Sequence, residues 1–349
     1  MSILSSKTNN SFFTVDIGST SVRVVHLKGA QVPKKLSAYA SVPIDPKSSQ
    51  SDSSQSQEVI QKALKQLIKD ANISEKNVVA GIPSDRIFAA VVDFPNISEK
   101  ELKKTIEYQL DTHVPMPLDE VKVDWKILGT SPVDKEKVEV LIVSLSNDYA
   151  ESRLELFESM GLNVIAFEPD ALGLTRSLVA AGNNGASLIM DIGYNSTDLV
   201  VAIGNTPRLI RSVPVGGTAF LKAVAQNLNL DNAQAQEFIH KFGMNSDKVE
   251  GQIYRALEGT VGSLMSEVQK SIKFFSDRYT QIGLDRIIVT GGSAGMPGLP
   301  LHIANTTGIQ VEIGNPWQNV SYPADRYNEL VALSSQYAVG LGLGLRVEE

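Results

Sequence analysis

The spacing of hydrophobic residues along this chain changes several times, and each change marks an element. Residues 12–17 form an apolar, β-rich run, Gly18-Ser19-Thr20 interrupts it, and 22–27 return to β-branched residues. The same rhythm recurs at 187–192, Gly193-Tyr194-Asn195 and 199–203. Gly, Ser and Asn at the two tips are turn formers. Elsewhere the period lengthens to that of a helix, with Val59, Ile60, Ala63, Leu64, Leu67 and Ile68 on one stripe. A second helix is expected from Ser98. There Ser98 and Glu101 have capping-box spacing, Ile97 and Leu102 sit where a hydrophobic staple belongs, and Pro115 lies beyond the end. Helical patterns also cover 148–160, about 249–279, and about 325–344. The polar stretch 47–57, KSSQSDSSQSQ, has nothing to bury and is expected to be a mobile surface loop.

The two strand–turn–strand segments are copies of one another. Residues 16–29 read DIGSTSVRVVHLKG and residues 191–204 read DIGYNSTDLVVAIG. Six of fourteen positions coincide: Asp16/Asp191, Ile17/Ile192, Gly18/Gly193, Ser21/Ser196, Val25/Val200 and Gly29/Gly204. Each copy then runs toward a Val-Pro pair, Val42-Pro43 and Val213-Pro214. The offset of 175 residues is half the chain, so the repeat predicts a duplicated α/β protein.

A carboxylate at the end of a strand, followed by a tight turn of small residues, suits a bound anion. Main-chain N–H groups in such a turn point outward. Gly18 and Gly193 allow close backbone approach. Ser19, Thr20 and Ser21, with Asn195, Ser196 and Thr197, add side-chain donors. Two such hairpins would grip a polyphosphate from both sides, with Asp16 and Asp191 holding a hydrated Mg²⁺ through water. A third element, 287–295, reads IIVTGGSAG: a buried strand, a glycine turn at Gly291, Gly292 and Ser293, then a helix expected over about 297–305. Strand C-terminal ends and helix N-termini are where α/β sheets bind such ligands, and the glycines leave room for a base or ribose. Gly291-x-Ser293-x-Gly295 also fits a nucleophile elbow. That chemistry needs an acid and then a histidine after the serine, and the only later histidine, His302, precedes Asp325. No P-loop motif is present, Gly340, Gly342 and Gly344 suit close helix packing, and the four histidines lack metal-site spacing.

With 349 residues, 42% of them hydrophobic, the chain can build two cores. A net charge of −7 removes the basic footprint of a nucleic-acid binder. The absence of cysteine excludes disulfides, thiolate zinc sites and thiol nucleophiles. No signal-peptide run and no stretch of 18 apolar residues is present, so the expected location is the cytoplasm.

In order and spacing, 16–29, 191–204 and 289–295 resemble the phosphate-1, phosphate-2 and adenosine motifs of the actin/Hsp70/sugar-kinase superfamily. Within it the chain is similar to the PilM family, FtsA-like cytoplasmic proteins of type IV pilus assembly. The particular matches are 82–84, 91–95, 98–110 and 114–120, which resemble the small inserted subdomain of that family, and 212–217, 266–271 and 314–316. The resemblance implies an actin-like ATPase fold binding ATP and Mg²⁺, with at most slow ATPase activity. It adds adenosine-side contacts at Gly216, Gly217, Glu267 and Lys270, and by a Glu-Pro match it places Glu168 where the attacking water is oriented. It further implies a scaffold that docks the N-terminal cytoplasmic tail of PilN in a groove near the inserted subdomain. Such a scaffold is held at the inner membrane by that partner, and contacts with other pilus platform or motor proteins and self-association stay open. Two departures are the serine at 293, where glycine is commoner, and the 47–57 stretch. An FtsA-like division filament and a small-molecule kinase of the same superfamily are the alternatives. The expected division is a flexible N-terminus at 1–10, domain 1 at 11–190 with 84–165 inserted, domain 2 at 191–323 with a helical insertion at 218–283, and a final helix at 324–349 returning to domain 1.

Overall fold

The computed structural model describes residues 11–347. The segment 1–10, expected to be a flexible N-terminus, lies outside the described residues. The chain divides into two compact units. One takes the chain up to Ala181 with Pro316–Asn328 and the residues from Val339 onward; the other takes Gly182–Asn315 and Glu329–Ala338.

The first unit runs β1 (Phe13–Ile17), β2 (Ser21–Lys28), β3 (Lys34–Pro43), α1 (Pro46–Gln50), α2 (Ser54–Asp70), β4 (Asn77–Ile82), β5 (Ile87–Pro95), α3 (Glu99–His113), β6 (Val121–Thr130), β7 (Lys137–Ser146), α4 (Asn147–Glu158), β8 (Asn163–Pro169) and α5 (Asp170–Leu178). The second carries β9 (Ala186–Ile192), β10 (Thr197–Ile203), β11 (Thr206–Val213), α6 (Gly217–Leu228), α7 (Asn232–Phe242), α8 (Gln252–Arg278), β12 (Leu284–Thr290), α9 (Leu299–Thr307) and β13 (Val311–Ile313). Last come β14 (Val320–Ser321), α10 (Tyr327–Ala332) and α11 (Ser334–Gly344).

The duplication is visible in strand order. The first sheet reads β14-β3-β2-β1-β4-β8 and the second β11-β10-β9-β12-β13. In each, the strand ending in the repeated Asp-Ile is antiparallel to the next strand and parallel to a later one. Parallel strands flanked by helices on both faces must be apolar throughout. Val15, Val24, Val78 and Val79 are fully buried in one sheet, and Leu188, Ile189, Ile287 and Val289 in the other.

A separate three-stranded antiparallel sheet, β5-β7-β6, is inserted in the first unit. It packs on α3 through a small core of Phe94, Leu102, Ile106, Val140 and Ile142. At the start of α3 the Ser98 hydroxyl accepts from the Glu101 N–H at 3.4 Å and donates to the Glu101 carboxylate at 2.6 Å. Leu102 is buried while Ile97 is largely exposed.

Three expectations need correction. The boundary placed between 190 and 191 cuts β9, because the repeated motif begins at the aspartate near the strand's end rather than at its start. The final helix is two helices broken at Leu333, and Glu329–Ala338 belong to the second unit. The 47–57 stretch is mostly helical rather than a loop: Asp45 caps α1, and Ser53 caps α2 by accepting from the Ser56 N–H at 3.3 Å. Its composition offers no core, yet Asp, Pro and Ser are the residues that start helices. Ser56 opens the buried stripe that continues to Ile60, Leu64 and Leu67.

From Val339 onward, α11 is packed into the first unit through glycines. A Cβ on Gly342 would overlap the Gly173 carbonyl oxygen, and one on Gly340 would press on Val25 at 3.2 Å. The Thr14 hydroxyl donates to the Gly340 carbonyl at 2.8 Å, and the Lys34 ammonium to the Gly344 and Arg346 carbonyls at 3.0 and 2.5 Å. Among the described residues no helix is long and apolar enough to cross a membrane. Gly342→Ala is expected to destabilise the protein by about 1–3 kcal/mol through overpacking. Gly259→Ala, in α8 with nothing within 4 Å of its Cβ position, should stabilise it by roughly 0.5–1 kcal/mol. Urea denaturation of the two variants checks the contrast.

Candidate functional site

Both copies of the repeat close their turn with the same hydrogen bond. The Gly18 N–H donates to the Ser21 carbonyl at 3.0 Å, and the Gly193 N–H to the Ser196 carbonyl at 2.9 Å. Room at 193 is tight: a Cβ there would stand 3.1 Å from that carbonyl. The halves differ in charge. Asp16, nearly buried, stands opposite Arg23 in the strand register, and Arg23 Nη1 bonds its carboxylate at 2.9 Å. The register partner of Asp191 is instead Asp198, whose carboxylate accepts from the Ser212 hydroxyl at 2.6 Å. Cross-strand partners share a face. One half-site therefore carries a neutral pair and the other two carboxylates.

In the second unit three backbone segments converge on the Gly193 turn. The Gly217 N–H donates to the Gly193 carbonyl at 3.0 Å and the Thr218 N–H to the Tyr194 carbonyl at 2.8 Å. A Cβ on Gly216 would stand 2.7 Å from the Gly193 oxygen and 2.8 Å from the Ser196 nitrogen. From the other side the Ser293 N–H donates to the Ile192 carbonyl at 3.0 Å. Gly291, at φ +92°, has the Asp191 carboxylate where a side chain would go. The Ser293 hydroxyl lies 3.0 Å from the Cβ position of Gly217. Gly292 has open space around it. Asp191, Gly193, Asn195, Ser196, Gly216, Gly217, Gly291, Gly292 and Ser293 thus form one cluster. Thr197 does not join as a donor: it is fully buried and its hydroxyl is held by the Val215 carbonyl at 2.7 Å.

Two side chains escaped the sequence reading. Arg23 Nε is buried with no hydrogen-bond partner, beside the Gly18 turn. The Thr290 hydroxyl, at the end of β12 and in register with Asp191, is likewise buried and unpartnered. The signal for Arg23 was present, as a charge inside an apolar strand.

Glu267 and Lys270 bond to each other at 2.7 Å on α8, and Glu267 also pairs with Arg211 of β11. The Lys270 hydrogen bond, with the Arg211 charge adding, holds the Glu267 carboxyl below the usual carboxylate range. Glu168 is fully buried, and both of its oxygens are held by Arg176, at 2.5 and 2.8 Å, with Arg346 at 3.4 Å. The structure therefore gives Glu168 no open face toward a ligand.

The family model for type IV pilus assembly protein PilM matches residues 14–348. The chain belongs to the PilM family. Among solved structures it is similar to a PilM–PilN type IV pilus biogenesis complex, at 24% identity and a TM-score of 0.82, covering 97% of this chain and 99% of the other. It is also similar to the ethanolamine utilization protein EutJ of Carboxydothermus hydrogenoformans, at 12% identity and a TM-score of 0.52 over 98% and 92% of the two chains. A third similarity is to MreB 5 of Spiroplasma citri bound to AMPPNP, at 13% identity and 0.52 over 96% and 95%. The resemblance drawn from the repeated motifs is thereby upheld for family and for fold. A PilM-family chain with an actin-like ATPase fold implies nucleotide binding.

Arg176→Met is expected to leave the buried Glu168 carboxylate with only the longer Arg346 contact. Removing one partner of a buried pair costs about 3–5 kcal/mol, and a loss near the lower end of that range should appear in urea denaturation.

Proposed function

We propose that this PilM-family chain is an ATP-binding scaffold of type IV pilus assembly, acting in the cytoplasm and docking the N-terminal tail of PilN. The observation that carries the nucleotide reading is the repeated turn, with its identical closing bond at Gly18 and Gly193 and the glycine-lined cluster around the second copy. Each turn offers main-chain N–H groups to phosphate oxygens, with the Ser19, Thr20 and Ser21 side chains at the first and those of Asn195 and Ser196 at the second. Buried donors without protein partners, Arg23 Nε and the Thr290 hydroxyl, fit a ligand that brings many acceptor oxygens.

We assign the metal to the Asp191 turn. Asp191 and Asp198 are cross-strand partners there, and Asp16 pairs with Arg23 at the other turn. Among the described residues no three His, Asp or Glu gather into a metal site. A Mg²⁺ ion there would rely on water and phosphate oxygens beside Asp191, as Mg²⁺ commonly does. The ion supplies neutralisation of the phosphate charge. Arg23, through its unpartnered Nε, would steady a phosphate at the first turn.

The inserted β5-β7-β6 sheet is the module we assign to the partner. It has its own core and no role in the turns, and a similar structure is that of a PilM–PilN complex. Peripheral placement at the inner membrane follows from such docking. A fluorescent peptide of the PilN tail should bind the purified chain saturably; no binding would remove this assignment.

Asp191→Ala is expected to weaken Mg–ATP binding by up to about 3 kcal/mol, the range for a charge-assisted contact. The affinity of the variant should become nearly independent of Mg²⁺. Asp16→Ala should weaken binding as well but keep its Mg²⁺ dependence. Calorimetry with and without Mg²⁺ separates the two, and unchanged affinity in both would refute the site.

A further inference from the structure

The segment 45–57 has so far only a structural description, yet it touches two functional regions of the first unit. At one end it is fastened to the Gly18 turn. The Ile44 N–H donates to the Thr20 carbonyl at 2.9 Å, and the Ser49 hydroxyl to the Ser19 carbonyl at 2.8 Å. At the other end it grips the root of the inserted sheet. Arg86, immediately before β5, donates to the Gln50 carbonyl at 3.5 Å. Arg153 of α4, just beyond β7, pairs with Asp52 at 3.4 Å, and Gln57 donates to the Ser152 hydroxyl at 2.7 Å.

The two arginines are themselves joined through Tyr149. Arg86 lies 5.4 Å and Arg153 5.0 Å from its ring centroid. Tyr149 stands three residues past Ser146, where β7 ends. The chain therefore enters and leaves the inserted sheet through one Arg–Tyr–Arg stack, and the 45–57 segment holds both guanidinium groups. Arg153 and Tyr149 are buried and Arg86 is exposed, so the Arg153 contact is the more desolvated and the stronger of the two. Between Ser49 and Asp52 the path is three residues long, running from the last turn of α1 through Ser51 to the residue before the Ser53 cap of α2.

We propose that residues 45–57 form a strap that transmits the nucleotide state of the Gly18 turn to the inserted sheet. Binding at the turn repositions the Ser19 carbonyl, the strap follows through Ser49, and the Arg86–Tyr149–Arg153 stack carries the shift into β5 and β7. The inserted sheet then adopts different populations with and without nucleotide. By linkage, a partner bound to the sheet alters nucleotide affinity by the same factor. This inference rests on the ATP-binding reading above.

The test is hydrogen exchange on the full chain with and without Mg–AMPPNP, in the wild type, Ser49→Ala and Asp52→Asn. In the wild type, nucleotide should change exchange rates in 84–95 and 137–149 by at least threefold. Both variants should keep nucleotide affinity within threefold by calorimetry and lose that response. A wild type that binds nucleotide with no change in these peptides overturns the strap and leaves the ATP reading intact. So does a response that persists in both variants. A wild type that binds no nucleotide overturns both. Asp52→Asn keeps the size of the side chain, so a lost response there is not a packing defect, and Ser49→Ala tests the opposite end of the strap.

Discussion

The second half of the candidate site depends on three stretches of backbone lying closer than a side chain allows. Gly216 meets the Gly193 turn at a separation in which no Cβ fits, and Gly291 yields its side-chain space to the Asp191 carboxylate. Close approach brings the N–H groups of Gly217, Thr218 and Ser293 onto the carbonyls of Gly193, Tyr194 and Ile192. A turn that is hydrogen-bonded on both sides cannot relax to suit itself, so the groups it presents stay where the fold puts them. Preorganisation of this kind lets a weakly coordinating protein surface bind a strongly solvated anion. It also explains why glycine recurs here although it costs chain entropy.

The same turn has been given two electrostatic characters. In the first copy Arg23 faces Asp16; in the second Asp198 faces Asp191 at the equivalent register position. The two turns close with the same backbone bond, and the position seven residues past the aspartate is arginine in one and aspartate in the other. A polyphosphate with a bound cation is itself asymmetric, anionic at its oxygens and cationic at the metal.

Much of this was legible in the sequence, because repeats and strand-ending glycine turns are local signals. DIGSTSVRV and DIGYNSTDL announce the same hairpin, and the strand order then repeats around it. What was missed needs long-range partners. The 47–57 stretch reads as solvated from its composition, and Ser19, Arg86, Ser152 and Arg153 make it a fastened segment. Thr197 looks like a donor in the motif, but Val215, eighteen residues on, takes its hydroxyl. The boundary at 190 failed because the first residue of a repeated motif is not an element's first residue.

Glu168 is the case with the largest consequence. The resemblance implied a water-orienting position for it, yet its carboxylate is enclosed, with two bonds to Arg176 and Arg346 close by. To reach a water it would first have to give up those guanidinium contacts. Leaving a buried charge unpaired costs about 3–5 kcal/mol, which in a rate is a factor of roughly a hundred to several thousand. Arg346 sits at the end of α11, whose carbonyls Lys34 caps, so the same carboxylate also ties the C-terminal helix to β8. A group that anchors a helix is poorly placed to turn over a substrate. Glu168 in this setting does not fit the water-orienting role that the resemblance implies for it.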